Sequence, residues 1–165
     1  MPQPKVHPTE RTVAAFKQLT EASQDKKSAT HGLCEAVAAL NDALEPLNIG
    51  VAAWHTIAAH TDSDSGYRWS RQIGYIQWGD SWSIVLKKTW QDLGDQEEEQ
   101  IYEFKNAPAW MAIEGIAKLP DLLETLISRV QDTTKQLKTR TDQTLEAVAA
   151  IQAVTAELAA DNAKK

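Results

Sequence analysis

The stretch that decides the fold is PDLLETLISRVQDTTKQLKTRTDQTLEAVAAIQAVTAEL, residues 120–158. After Pro120 it holds neither proline nor glycine, and it is rich in Ala, Leu, Glu, Gln and Lys, which lose little side-chain freedom in a helix. Leu123, Ile127, Val130, Thr134, Leu137, Thr141, Thr144, Val148, Ile151, Thr155 and Leu158 recur at alternating spacings of four and three. Such a heptad series belongs to a helix that packs along the length of another. Pro120 suits a first helical turn. The pattern therefore predicts one helix over 120–160, ~60 Å long at ~1.5 Å per residue, followed by a disordered tail over 161–165.

The same rhythm runs near the N-terminus through Thr9, Thr12, Phe16, Leu19, Ser23, Lys26, Thr30, Leu33, Val37, Leu40, Leu44 and Leu47. A disordered tail over 1–8 and a long helix or helix pair over 9–46 are expected. Thr9 is the expected cap, and Pro46 stops the helix by disfavouring helical geometry at Glu45. The weak segment is SQDKKSATHG, residues 23–32, where poor helix formers and Gly32 offer a break.

Laid antiparallel so that residue numbers sum to about 170, the two series put Leu40 by Val130, Leu33 by Leu137, Thr30 by Thr141 and Leu19 by Ile151. Ser23 and Lys26 then fall by Val148 and Thr144, so most polar positions meet polar positions. Two readings of the seam threonines follow. They hydrogen-bond across the pair and set its register, or they are small β-branched fillers.

Beside the N-terminal seam, Ala15, Ala22, Ala29, Ala36 and Ala43 recur every seventh residue. They widen the apolar face and allow close helix approach. A homodimer of two helical hairpins is the simplest bundle that covers such a face.

Residues 47–119 differ in composition and hold all six tryptophans. IGVAAWHTIAA (49–59), GYRWSRQIGYIQW (66–78) and WSIVLKKTW (82–90) read as strands, the last two joined at Gly79-Asp80. NAPAWMAIEGIAKL (106–119) reads as a covering helix capped by Asn106. The fold class is mainly helical α+β: two long antiparallel heptad-patterned helices flanking a three-stranded antiparallel meander and a short helix.

The 165 residues carry a formal charge of −6, with the 17 Lys and Arg scattered. That argues against a nucleic-acid partner, which needs a basic face. Cys34 is the single cysteine, so neither an internal disulfide nor a four-cysteine zinc site is available. MPQPKVHPTE lacks an apolar leader core, and no window reaches the ~18 apolar residues of a membrane span. A cytoplasmic location with no membrane partner is the expectation.

Motifs for nucleotide, phosphate, calcium or serine-hydrolase chemistry are missing from the chain. His31 and Cys34 stand one helical turn apart, too few ligands for a metal. His55, His60, Asp62 and Asp64 suit a divalent cation, yet the odd spacing of the two histidines puts them on opposite faces of a strand. The run DLGDQEEEQIYE (92–103) reads as a solvated loop or helix start. No cofactor and no metal are expected.

The indoles are the main recognition candidates, being large, with a polar handle. Trp54, Trp69, Tyr75, Trp78, Trp82 and Trp110 are the expected binding or pocket residues. The leading functional reading is a non-enzymatic protein-interaction or regulatory module that dimerises through its helices and engages another protein through the head. A small-ligand sensor with a pocket of Trp54, Tyr75, Trp82 and Trp110 is the alternative. A metal-dependent hydrolase is the third.

Overall fold

The structure is a computed structural model that describes residues 8–92 and 96–162, with side chains over 9–92 and 96–156. Helix α1 spans Pro8–Leu44, strands β1 to β4 span Ala53–Thr61, Arg68–Trp78, Ser81–Gln91 and Glu98–Glu103, and helices α2 and α3 span Ala109–Ile116 and Leu119–Asn162. The protein is thus a mixed α+β molecule with a four-stranded antiparallel sheet in the order β1-β2-β3-β4. Of the expected tails, residues 1–7 and 163–165 lie outside the described residues, while 161–162 are helical.

Proline marks the start of both long helices and the end of α1. Pro8 stands at the first position of α1, so Thr9 lies inside the first turn and is not its cap. α1 runs unbroken through 23–32 and gives way at Glu45–Leu47 to a single 3₁₀ turn containing Pro46. The turn ends at Asn48, whose φ of 45° is left-handed, a conformation Asn tolerates. α3 carries Pro120 in its first turn, as expected.

The third expected strand is followed by a fourth, and this corrects the reading of the acidic run. Glu98–Glu103 pairs with β3 from Trp90↔Glu98 to Val85↔Glu103. An outer strand tolerates charge because half its side chains face water and its free edge is kept from sticking to other strands. Asp95 of that run lies outside the described residues. β4 pairs no further than Val85, and beyond it Asn41 of α1 accepts a 3.0 Å hydrogen bond from the Ile84 N–H. A backbone donor beyond the strand's reach is satisfied by the helix instead.

The Asn106 cap is also corrected. Asn106 closes a short 3₁₀ turn and its Nδ2 donates to Glu103 Oε2 at 3.1 Å, while Pro108 caps α2. Proline forces the preceding Ala107 into extended backbone, which moves the helix start past it.

One sheet face packs against the helices. Ile73, Tyr75, Ile84 and Leu86 are buried there with Met111 and Ala112 of α2, Leu122 and Leu126 of α3, and Val37 and Leu44 of α1. Gly115 lets α2 lie on the sheet, since a β-carbon there would come within 2.6 Å of a Leu86 methyl. On the other face Trp54, Gly74 and Val85 occupy one row. Val85 is wholly buried although it lies outside the helix-side cluster.

The antiparallel hairpin is not formed within one chain. Leu19 and Ile151, expected to meet, are 65% and 66% exposed, and α1 and α3 share no extended contact. Only the head-proximal end of each helix packs into the core: Val37 and Leu44 of α1 and Leu122 and Leu126 of α3 are buried, with Leu33, Leu40 and Leu123 partly buried against them. Moreover, α3 turns Leu122 and Leu126 to the sheet, while Ile127 of the expected seam is 57% exposed. The sheet claims a stripe one residue away from the heptad series. No described helix is long and apolar enough to cross a membrane.

Candidate functional site

Alternation along β2 puts Trp69 and Arg71 on the same face as Ile73 and Tyr75. α2 and α3 cover the last two but leave the first two on an open shelf. Across the ladder, Trp69 is paired with Trp90 and Arg71 with Lys88, so two indoles and two cations form adjacent rows. His60 of β1 continues the aromatic row, its ring 6.2 Å from that of Trp69.

The wall of the shelf is α2. Trp110 and Glu114 are four residues apart and share one side of that helix, while Met111 and Gly115 share the side that enters the core. The Arg71 guanidinium lies 4.6 Å from the Trp69 ring centroid and 5.1 Å from that of Trp110. Its Nη1 stands 2.9 Å from Glu114 Oε2. With an 18% exposed side chain, Arg71 is held by cation–π contacts to two indoles and by one carboxylate. Lys88 Nζ lies 5.2 Å over Trp90. Tyr67, Trp69, Arg71, Lys88 and Trp110 enclose a shallow hollow of about 220 Å³.

The six expected binding residues separate into four environments. Trp69 and Trp110 come together around Arg71. Tyr75 is 1% exposed and stacks on Trp82 at 5.6 Å within the core. Trp54 lies on the opposite face over Gly74, with Lys87 Nζ 4.3 Å above its ring. Trp78 stands at the β2–β3 hairpin end beside Glu103, whose carboxyl is held low chiefly by Lys105 at 2.8 Å, with a smaller pull from Trp78. A pocket lined by Trp54, Tyr75, Trp82 and Trp110 therefore does not assemble. Arg71, Lys88 and Trp90 were missed as site residues. The signal lay in the strand pairing, because Trp69 opposite Trp90 and Arg71 opposite Lys88 follow from the Gly79-Asp80 turn.

The histidines illustrate how a bulge defeats strand parity. The β1–β2 register shifts between Thr56 and Ala58, so His55 and His60 share a face despite their odd spacing. They remain far apart along it, opposite Ile73 and Trp69 respectively. His55 Nε2 stands 3.5 Å from Asp121 Oδ2. Asp62 serves its own turn, accepting from Asp64 N–H at 3.0 Å and Ser65 Oγ–H at 2.7 Å, bonds that hold its carboxyl low. Among the described residues no group of three or more His, Cys, Asp or Glu is placed to hold a metal ion. His31 pairs with Glu35 at 3.2 Å, and Cys34 packs against the core.

A second candidate surface lies on the helices beyond the head. Val13, Phe16 and Leu19 of α1 and Leu137, Leu145, Val148, Ile151 and Val154 of α3 are exposed. Ala15, Ala22, Ala29, Ala36 and Ala43 are exposed too. The seam threonines need no partner: Thr134, Thr141, Thr144 and Thr155 each donate to the carbonyl four residues earlier, at 2.8 to 2.9 Å.

Compared with known proteins, the chain matches no family model, no curated protein and no solved structure.

Proposed function

We propose that the protein is a non-enzymatic interaction module that self-associates through the projecting parts of α1 and α3 and presents its tryptophan-bearing head for recognition. The supporting observation is the exposure of eight large apolar side chains on those parts: Val13, Phe16, Leu19, Leu137, Leu145, Val148, Ile151 and Val154. Monomeric proteins rarely leave such stripes in water.

A second copy is the natural cover. The α1 seam of one chain then lies on the α3 seam of the other, in the register that sets Leu19 by Ile151 and places the two heads at one end. Small Ala15 and Ala22 admit the flanking Val154 and Ala147. At roughly 1.5 kcal/mol per buried aliphatic side chain, two copies exceed severalfold the roughly 8 kcal/mol of a micromolar dimer. That surplus leaves room for the entropy of association.

Sedimentation velocity tests the reading. A species of twice the 18.3 kDa chain mass is expected, and Phe16→Glu with Ile151→Glu should return it to monomer while the head keeps its near-ultraviolet circular dichroism. A wild-type chain that stays monomeric at about 100 µM would overturn it.

A further inference from the structure

We infer that the shelf formed by Trp69, Trp90, Trp110, Arg71 and Lys88 is a binding site for a small planar aromatic anion. This inference is independent of self-association, because every residue involved belongs to one head.

The two cations of the shelf are not equivalent. Arg71 has its charge answered by Glu114 at 2.9 Å and lies over the rings of Trp69 and Trp110. Lys88 is half-buried, and among the described residues no carboxylate lies within ion-pair distance of it. Its neighbour Lys87, on the other face, does have one, Glu99 at 4.0 Å. An ammonium held against an indole face and partly withdrawn from water attracts an anion more strongly than one free in solvent.

The rest of the shelf selects a flat ring. The Trp110 indole is 49% exposed and lines the hollow together with Trp69 and Arg71. Exposed indole faces stack on planar ring systems. The volume of about 220 Å³ holds a one- or two-ring compound with a carboxylate or phosphate. Tyr67 lines the same hollow. A long polyanion is disfavoured because Glu97, Glu98 and Glu114 surround the shelf.

The experiment titrates the intact protein with 2-naphthoate and 2-naphthyl phosphate while recording the indole N–H signals by NMR. Two controls separate the two requirements: naphthalene-2-carboxamide has the ring without the charge, and cyclohexanecarboxylate the charge without the ring. The expected result is saturable binding of one or both naphthyl anions with Kd below about 1 mM, shifts at Trp69, Trp90 and Trp110 but not at Trp54 or Trp82, and weaker binding of both controls. Lys88→Gln should weaken anion binding by about tenfold and leave the carboxamide unchanged; Trp110→Ala, at an exposed site, should weaken both. No saturation by either anion, shifts at Trp54 instead of the shelf, or undiminished affinity in a folded Lys88→Gln variant would each overturn the inference.

Discussion

Gly74 lies directly beneath the indole of Trp54, so close that a β-carbon on it would overlap the ring carbons Cε3, Cδ2 and Cζ3. The two are paired across β1 and β2, and the missing side chain is what lets the indole lie flat on the sheet. Gly74→Ala should therefore destabilise the fold by about 1–3 kcal/mol through overpacking, read from the urea midpoint. Adding Trp54→Ala removes the clash, so the double variant should lose less than the sum of the singles. Additive losses would show that the ring does not rest on the glycine.

The stripe that α3 turns to the sheet can be told from the heptad seam by two neighbouring truncations. Leu122 is wholly buried and Leu122→Ala should cost about 2–5 kcal/mol. Ile127→Ala, at a 57% exposed position, should leave head stability within about 0.5 kcal/mol. Chemical denaturation of both variants at low protein concentration, where self-association does not contribute, is the check. Equal losses would mean that Ile127 is buried as well.

The threonines of the seam satisfy themselves. Because Thr134, Thr141 and Thr144 donate to their own helix, a Thr→Val change at all three keeps shape and adds apolar surface. Sedimentation equilibrium should show self-association unchanged or tightened, with the same stoichiometry. Weakened association or a new oligomer size would restore cross-helix hydroxyl bonding as the device that sets register.

Asp121 ties the start of α3 to β1. A hydrogen bond from Lys118 Nζ at 3.0 Å holds its carboxyl below the ordinary carboxylate range, burial opposes this, and His55 adds a smaller pull in the same direction. A depressed folded pKa stabilises the protein above the unfolded value of ~3.9, and that contribution is lost as pH falls through the folded value. Wild type should thus be more stable than Asp121→Asn near neutral pH, and the gap should close below about pH 4. Urea midpoints of the two proteins across that window supply the test; a gap that does not narrow would assign Asp121 a pH-independent role.

Local chemistry alone settled much of the architecture. Proline placement set the end of α1 at Leu44 and the start of α3 at Leu119, because a ring with fixed φ and no N–H acts on its immediate neighbours only. The two-residue Gly79-Asp80 turn fixed the β2–β3 register, and alternation then decided which of Trp69 and Trp78 shares a face with Tyr75. The continuous helix through 133–144 follows the heptad pattern, whereas α1 stays helical through 23–32 against the poor local propensity of its Ser, Asp, Thr and Gly32 residues.

What tertiary structure decided was coverage. Six tryptophans that look alike along the chain became a partner packed against the core at Trp82, a sheet cover at Trp54, a hairpin-end residue beside Glu103 at Trp78 and the shelf at Trp69, Trp90 and Trp110. Which of these an indole becomes depends on where α2 and α3 land, and that is set by the close approach at Gly115 and by Leu122 and Leu126 finding the sheet. The bulge near Ile57 reversed the face of His60, and pairing with β3 turned an acidic run into β4. Such outcomes come from partners distant in sequence, whose packing overrides a local pattern that is compatible with more than one arrangement.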